Sequence, residues 1–389
     1  MLLRENIQIK PFDARRNVLQ VDENRHFLLN QATSDLVEIL SSTTSLVEAH
    51  KSFNIVFNYS LSYGAFTDLI DKKLGGYRIL KKDAVSLKPG IQNTYLKLKL
   101  PLLSARIAQL LSIPLQPFFT PRVFWFSIGG ISLFLVGMVL GFAWPKISQV
   151  NYLTLMFLIY PTMLIHELGH IAACAKAKLK HGGIGFGFYF VLPVMYAEIT
   201  NIWMGNKEQR IIANLGGIFA ELLYAGVLGI IYLLFQSEVC LFACMSISTF
   251  VLWEFNPFVR FDGYWLLSDL TNTPNLVVKS KRVLIKVFSK TTFHQWKANK
   301  FKISASGQAI FLLGYGFINT FFILLLLGYT FITYQNEIIQ FPISIYQILL
   351  KISRWDLDIK DINGALLSIL LFYILSIRYL IIQYKSLIK

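Results

Sequence analysis

Charge is scarce in this chain of 389 residues, and acidic charge scarcest: Asp and Glu number 22 against 37 Lys and Arg, charged residues make up 15%, and 54% are hydrophobic. So little charge excludes an ordinary soluble protein of two or three domains, and it excludes wholesale disorder. Three cysteines in such a length exclude a disulfide scaffold. The start, Met1-Leu2-Leu3-Arg4-Glu5, lacks the apolar run of a signal peptide, which argues against secretion. What is present is a mean hydropathy of +0.52, pointing to lipid as a solvent, and a net charge of +15. In a soluble chain that surplus would suggest nucleic acid, so where the cations lie matters.

The charge density changes near Pro121. From Val123 to Trp144 run 22 residues without a charge, enough to cross a hydrocarbon core of about 30 Å. Further apolar stretches follow at Asn151 to Ala175, Ile211 to Phe235, Val239 to Val259, Ala309 to Tyr334 and Gly364 to Tyr384, making six expected spans. The stretch Gly182 to Thr200 is shorter and glycine-rich, with Pro193, and reads as a re-entrant or interfacial hairpin. Between Thr271 and Lys302 lie eight basic residues and no acidic one, which assigns that loop to the cytoplasm by the positive-inside bias. Six spans then place both termini and the Lys176, Lys178, Lys180 segment in the cytoplasm, and the 336–363 loop outside. Contact with anionic lipid or an acidic peptide is the sharper reading of the same basic loop.

The expected second span ends in His166-Glu167-Leu168-Gly169-His170. On a helix the two imidazoles stand one turn apart on one face, about 6 Å along the axis, so both can reach one tetrahedral zinc with Glu167 beside it. Such polar residues are costly in a membrane segment, and a bound divalent cation gives them a common reason. A catalytic zinc takes three protein ligands and keeps an open position. The fourth span supplies Asn256-Pro257-Phe258-Val259-Arg260-Phe261-Asp262-Gly263, and the topology brings Asp262 to the depth of His170. Taken alone, Asp262-Gly263 is also what a helix-ending turn looks like.

Together these residues resemble the site-2 protease family of membrane-embedded zinc metalloproteases. The resemblance implies that His166, His170 and Asp262 are the metal ligands and Glu167 the general base. The spacing differs from the family's usual N-x-x-P-x-P-x-L-D-G, since Pro257 directly follows Asn256 and Asp262 lies six residues beyond it. The run is closer to the branch of peptide zinc metalloproteases, and the role of Asn256, in holding substrate or an oxyanion, stays open. The resemblance covers residues 122–270 best. The Gly182–Thr200 hairpin offers a strand edge for substrate, or fills space beside the site. Glu221 fits a structural hydrogen bond, Glu254 pairs with Arg260 or shapes the site, and Cys174 packs or reaches the metal. Cys240 and Cys244 read as packing residues.

Residues 1–100 form an expected soluble domain, joined by a linker over 101–121 to a membrane domain over 122–389. Strands at Asn17–Val21 and Arg25–Leu29, helices at Ser34–Leu40, from Ser45 and at Leu61–Leu74, and a returning strand at Tyr77–Leu80 describe a small winged helix-turn-helix. Asn17 to Lys82 holds seven basic and seven acidic residues, which argues against a nucleic-acid partner. The run Phe27-Leu28-Leu29-Asn30-Gln31-Ala32-Thr33 resembles PqqD-like peptide-recognition domains, in which a leader peptide adds as a strand; a plain tethering or regulatory domain is the alternative.

The fold class expected is therefore an α-helical polytopic membrane protein with a small α+β winged helix-turn-helix domain. The expected function is a Zn2+-dependent endopeptidase of the bacterial cytoplasmic membrane, acting near its cytoplasmic face in maturation or export of a ribosomally made peptide. Its expected partners are a peptide or membrane-protein substrate, the lipid bilayer, and a peptide-modifying enzyme or exporter. Two rivals are regulated intramembrane cleavage of a signalling protein, and a non-catalytic peptide-binding transport or immunity component with structural zinc.

Overall fold

The computed structural model describes residues 3–4, 7–22, 25–80, 96–146, 150–189, 192–287, 307–354, 369–370, 372–374, 376–377 and 381. The chain divides into two units, Met1–Thr273 and Pro274–Lys389.

The first unit begins with strands β1 (Gln8–Asp13), β2 (Arg16–Asp22) and β3 (Arg25–Asn30), antiparallel in that order. Alternation along β2 sorts its side chains onto two faces. Leu19 and Val21 enter a core with Leu29, Leu40, Phe66 and Leu74. Val18, on the other face, packs with Phe12 and Met204. Three helices complete the core: α1 (Gln31–Ser42), α2 (Leu46–Val56) and α3 (Tyr63–Leu74). Asn30, Ser45 and Ser62 cap them, each side chain accepting from a backbone N–H three residues on. The expected pair of strands and three helices are present, with two differences. Strand β1 was not anticipated, because its Lys10-Pro11 pair obscures the alternation. The expected returning strand at 77–80 reduces to a short 3-10 turn, Gly75–Tyr77, and one bridge between Leu3 and Leu80.

The expected 101–121 linker is folded. Strand β4 (Leu96–Leu103) pairs with β5 (Ile184–Tyr189), which pairs with β6 (Leu192–Ala197) in a second antiparallel sheet. The helix α4 (Ala105–Ser112), capped by Ser104, follows, then a 3-10 segment at Ile113–Phe119. Ala108 of α4 packs with Ile171 and Ile184, so this stretch lines the body of the protein. Strands β5 and β6 form the hairpin expected between Gly182 and Thr200. Strand β4 pairs with residues 184–189, far along the chain, a contact no local pattern announces.

Among the described residues, four helices are long and apolar enough to cross a membrane: α5 (Pro121–Gly141), α6 (Tyr152–Lys176), α8 (Gly216–Phe235) and, in the second unit, α12 (Gly307–Thr333). The protein is thus mostly helical and built for a membrane. Against the six spans expected, three differences appear. The third does not start at Ile211: a separate helix α7 (Lys207–Asn214) ends there, and α8 begins at Gly216. The fourth, α9 (Glu238–Glu254), has 17 residues and stops before Asn256-Pro257, where proline cannot continue a helix. The stretch expected as a 336–363 loop is helical over α13 (Gln335–Ser353), despite Pro342. The sixth expected span, 364–384, lies mostly outside the described residues, as does Phe190 of the hairpin. After α9 comes α10 (Asp262–Leu270). In the second unit α11 (Leu276–Val287) packs on α12 where Gly316 meets Ser280.

Candidate metal centre

Helix α6 has two halves. Tyr152, Phe157 and Tyr160 in its first half are exposed, whereas Glu167, His170, Ile171 and Cys174 in its second are buried. The buried half is reached by close helix packing. Gly169 meets Gly216 of α8 so tightly that no Cβ fits between them, the small-residue contact that lets membrane helices approach. One residue on, a Cβ at Gly217 would run into the His166 imidazole. The glycines at the start of α8 thus make the room in which His166 sits.

Three ligand-type side chains meet there. His166 Nε2 lies 3.2 Å from His170 Nε2. Asp262 Oδ2 lies 3.1 Å from the first and 3.2 Å from the second. This oxygen is buried and accepts a hydrogen bond from neither ring. A tetrahedral zinc with ligand bonds of about 2.0–2.1 Å has ligand-to-ligand edges of about 3.3–3.4 Å. Three edges of nearly that length, closed by an orphaned carboxylate oxygen, are what such an ion would satisfy, so the residues present fit the group.

The outer atoms of both rings are held. His170 Nδ1 lies 2.7 Å from the Ala213 carbonyl, which can only accept, so Nδ1 carries the proton and Nε2 presents its lone pair to Asp262. That carbonyl is available because α7 ends one residue later. His166 Nδ1 faces two carboxylates, Glu221 Oε1 at 3.4 Å and Glu254 Oε2 at 3.6 Å. These two were left open in the sequence; the structure brings both to His166. Their signal was the cost of a carboxylate in an apolar segment. Glu254 Oε2 is buried and without a hydrogen bond, and His166, Glu221 and Glu254 form a second group of ligand-type atoms.

Asp262 is positioned by a lock invisible in the sequence. It opens α10, and at Gly263 a Cβ would strike the Phe255 backbone, so the Asp-Gly pair permits this close return of the chain. Farther along α10, Asp269 accepts from Arg210 Nε (2.7 Å) and Asn214 Nδ2 (2.7 Å), both on α7. The guanidinium of Arg210 also donates to the Gly205 carbonyl (3.0 Å) and covers the Phe12 ring at 4.0 Å. Helix α7 therefore ties the carbonyl that holds His170, the helix that carries Asp262, and the N-terminal sheet.

Of the other residues singled out, Asn256 Oδ1 accepts from the Phe258 N–H (2.9 Å), serving the turn between α9 and α10. Cys174 is fully buried in the apolar core with Cys244 and belongs to neither ligand group. Cys240 packs at the edge of that core. Glu167 is buried next to the cluster, with the Ala197 backbone N–H of β6 against its carboxylate. Strand β6 is an outer strand of its sheet.

No family model and no solved structure matches the chain. A protein of Bacillus subtilis (strain 168), "Putative peptide zinc metalloprotease protein YydH", is 31% identical over 107 residues, 27% of this chain and 42% of that relative. The chain thus spans less than half the length of the relative it matches, and the likeness is to a peptide zinc metalloprotease.

Proposed function

We propose that the protein is a membrane-embedded zinc endopeptidase of site-2 protease type, with His166, His170 and Asp262 as metal ligands and Glu167 as general base. The observation that carries this is the triangle of Nε2, Nε2 and Oδ2 atoms closed to 3.1–3.2 Å around an unpartnered carboxylate oxygen. The resemblance of the sequence and the similarity to a peptide zinc metalloprotease support it. A zinc ion held by these three side chains supplies Lewis acidity, making water more acidic and polarising a peptide carbonyl.

The chain's own residues do the rest. Ala213 fixes His170 in the tautomer that leaves Nε2 free, and Glu221 does the same for His166, with the Glu254 carboxylate close by. Glu167, buried beside them, takes a proton from the attacking water and delivers it to the departing amine. An outer strand such as β6 gives an extended substrate a row of backbone groups to pair with, ending at Glu167. In this reading the site lies near the cytoplasmic face and both termini are cytoplasmic. The N-terminal domain, residues 1–100, acts as a PqqD-like domain that grips a ribosomally made peptide during maturation or export.

The test is to incubate purified protein with candidate precursor peptides in H2 18O and follow the products by mass spectrometry. The wild type should release two fragments, one carrying the heavy oxygen at its new carboxyl, and Glu167→Gln should not. Equal cleavage by both would sink the mechanism, and function that persists in Glu167→Gln but fails in His166→Ala would favour structural zinc.

A further inference from the structure

Away from the metal centre, a cavity of about 500 Å³ lies between the N-terminal sheet and the turn that follows α6. That is the size of a small-ligand cleft. Among the described residues its charge is mainly of one sign: Arg4 and Lys10 stand on one wall, Lys178 and Lys180 on the other. The acidic side chain on the wall, Asp22, accepts from Arg25 Nε at 2.6 Å. Arg4 Nη1 is buried with no hydrogen-bond partner, the state in which a guanidinium nitrogen awaits an acceptor. Among the described residues, neither Lys10 nor Lys178 has an acidic partner within salt-bridge distance.

One wall has a period of two: on β1, Gln8 and Lys10 face the cavity while Ile9 packs on the domain core. On the facing wall Lys178, Leu179 and Lys180 all line it, Leu179 packing with Met204 as an apolar strip between the two cations. A strand that presents every second side chain is the natural neighbour of another extended chain. The side-chain amides of Gln20 and Asn201, also on the wall, offer donors and acceptors of the kind a peptide backbone needs.

The turn itself carries a further sign. Lys178 holds φ +57°, with its N–H donating to Ala175 O and that of Leu179 to Cys174 O, each at 3.0 Å. This is the helix-ending motif in which glycine is the preferred residue. A lysine in that left-handed position is strained where a glycine would not be.

We propose that this cavity binds an acidic stretch of an extended peptide through Arg4, Lys10, Lys178 and Lys180. The identity of that ligand rests on the peptide-hydrolase reading, and it deepens it: the substrate carries spaced carboxylates at a distance from the bond that is cut. The turn bearing Lys178 and Lys180 joins the end of α6 to the hairpin that presents β6. A peptide anchored in the cavity is therefore held against the same continuous segment that leads to the metal centre. Lys10 on one wall and Lys178 on the other also select against neutral sequences, which would leave these two charges uncompensated.

The experiment uses the full chain in neutral detergent, as Glu167→Gln so that no peptide is cut. A fluorescein-labelled peptide of alternating Glu and Ser, about eight residues long, is titrated by anisotropy beside its Gln-Ser counterpart. The acidic peptide should bind about tenfold or more tightly than the Gln form, with an affinity that falls as salt rises. Lys10→Gln combined with Lys178→Gly should weaken it about tenfold. Lys178→Gly suits the left-handed backbone, so loss of binding there is loss of charge and not of fold. Lys72→Gln, at an exposed position on α3, should leave binding unchanged. Equal affinity for the two peptides, or indifference to the cavity variants, overturns the proposal. Displacement of the acidic peptide by inorganic phosphate or by phosphatidylglycerol nanodiscs at matched charge also overturns it, in favour of a phosphate or lipid-headgroup site. The two readings fail separately. Charge-dependent binding with no cleavage by the wild type removes the hydrolase and leaves the cavity, whereas cleavage indifferent to Lys178→Gly removes the cavity and leaves the hydrolase.

Discussion

His166, Glu167 and His170 sit on a helix whose surroundings are apolar, whereas Arg4, Lys10 and Lys178 stand around a unit with a conventional apolar core. In the first region every polar side chain is costly where it lies, so each demands a partner: a carbonyl for His170, two carboxylates for His166, and for Asp262 Oδ2 nothing from the protein. In the second region lysines near water cost little, and a basic residue carries no message by itself. Meaning appears there only when the fold brings cations from residues 4, 10, 178 and 180 around one cavity. The contrast teaches that buried polarity is informative residue by residue, and surface charge only as an assembled pattern.

The largest effect that could break this contrast is on chemistry. Glu167→Gln keeps size and burial but removes the proton acceptor, and should lower peptide hydrolysis on the order of 10³-fold with bound zinc retained, as metal analysis would check. Next comes the lock between the two regions. Arg210→Ala leaves Asp269 buried without its main partner and should cost about 3 kcal/mol or more, read as a lower unfolding midpoint in detergent. If Arg210 were only a surface-type pair, the shift would be negligible, and the link from the N-terminal sheet to α10 would go with it. A smaller and more local effect is expected of Gly217→Ala. The added methyl pushes on the His166 ring and should weaken zinc about tenfold against a competing chelator, with little change in overall stability.

The smallest effect is in the N-terminal domain, where it meets Asn201. Burial pushes the His26 imidazole below its ordinary 6.5, with the Asp22 carboxylate and the Asn201 side chain opposing. The folded value lies below the unfolded one, so the neutral ring's contribution is fully present above about pH 6.5 and is lost as the pH falls through it toward the folded value. Unfolding of the N-terminal unit should ease between about pH 7.5 and pH 5.5, and His26→Gln should flatten that slope. An unchanged slope would mean that the ring is as accessible folded as unfolded.

How much was readable beforehand follows the same division. The His-Glu-x-x-His spacing and the Asp262-Gly263 turn were visible because helix geometry and insertion cost act within a few residues. The Ser45 cap is local too, and the apolar periodicity marks helices α1–α3 to within a few residues of their bounds, whereas the Asn30 and Ser62 caps emerge from the structure. What escaped was set by distance along the chain. Strand β4 is a strand because residues 184–189 pair with it, and Ala213 is a ligand holder because a helix happens to end there. Arg210, 1% exposed, looked like one more cation of a basic chain until Phe12 and Asp269 closed around it. Glu221 and Glu254 stood out as polar residues in apolar stretches, but their common target, one nitrogen of His166, depends on how α8 and α9 pack on α6.

The central claim is that His166, His170 and Asp262 hold one metal ion. X-ray absorption at the zinc edge, on the zinc-loaded full chain, tests it most directly. One zinc per chain is predicted, with two imidazole nitrogens and oxygen at about 2.0–2.2 Å and no sulfur scatterer, and it should be lost in His170→Ala and in Asp262→Asn. A sulfur shell at about 2.3 Å, or zinc retained unchanged in both variants, would contradict the account.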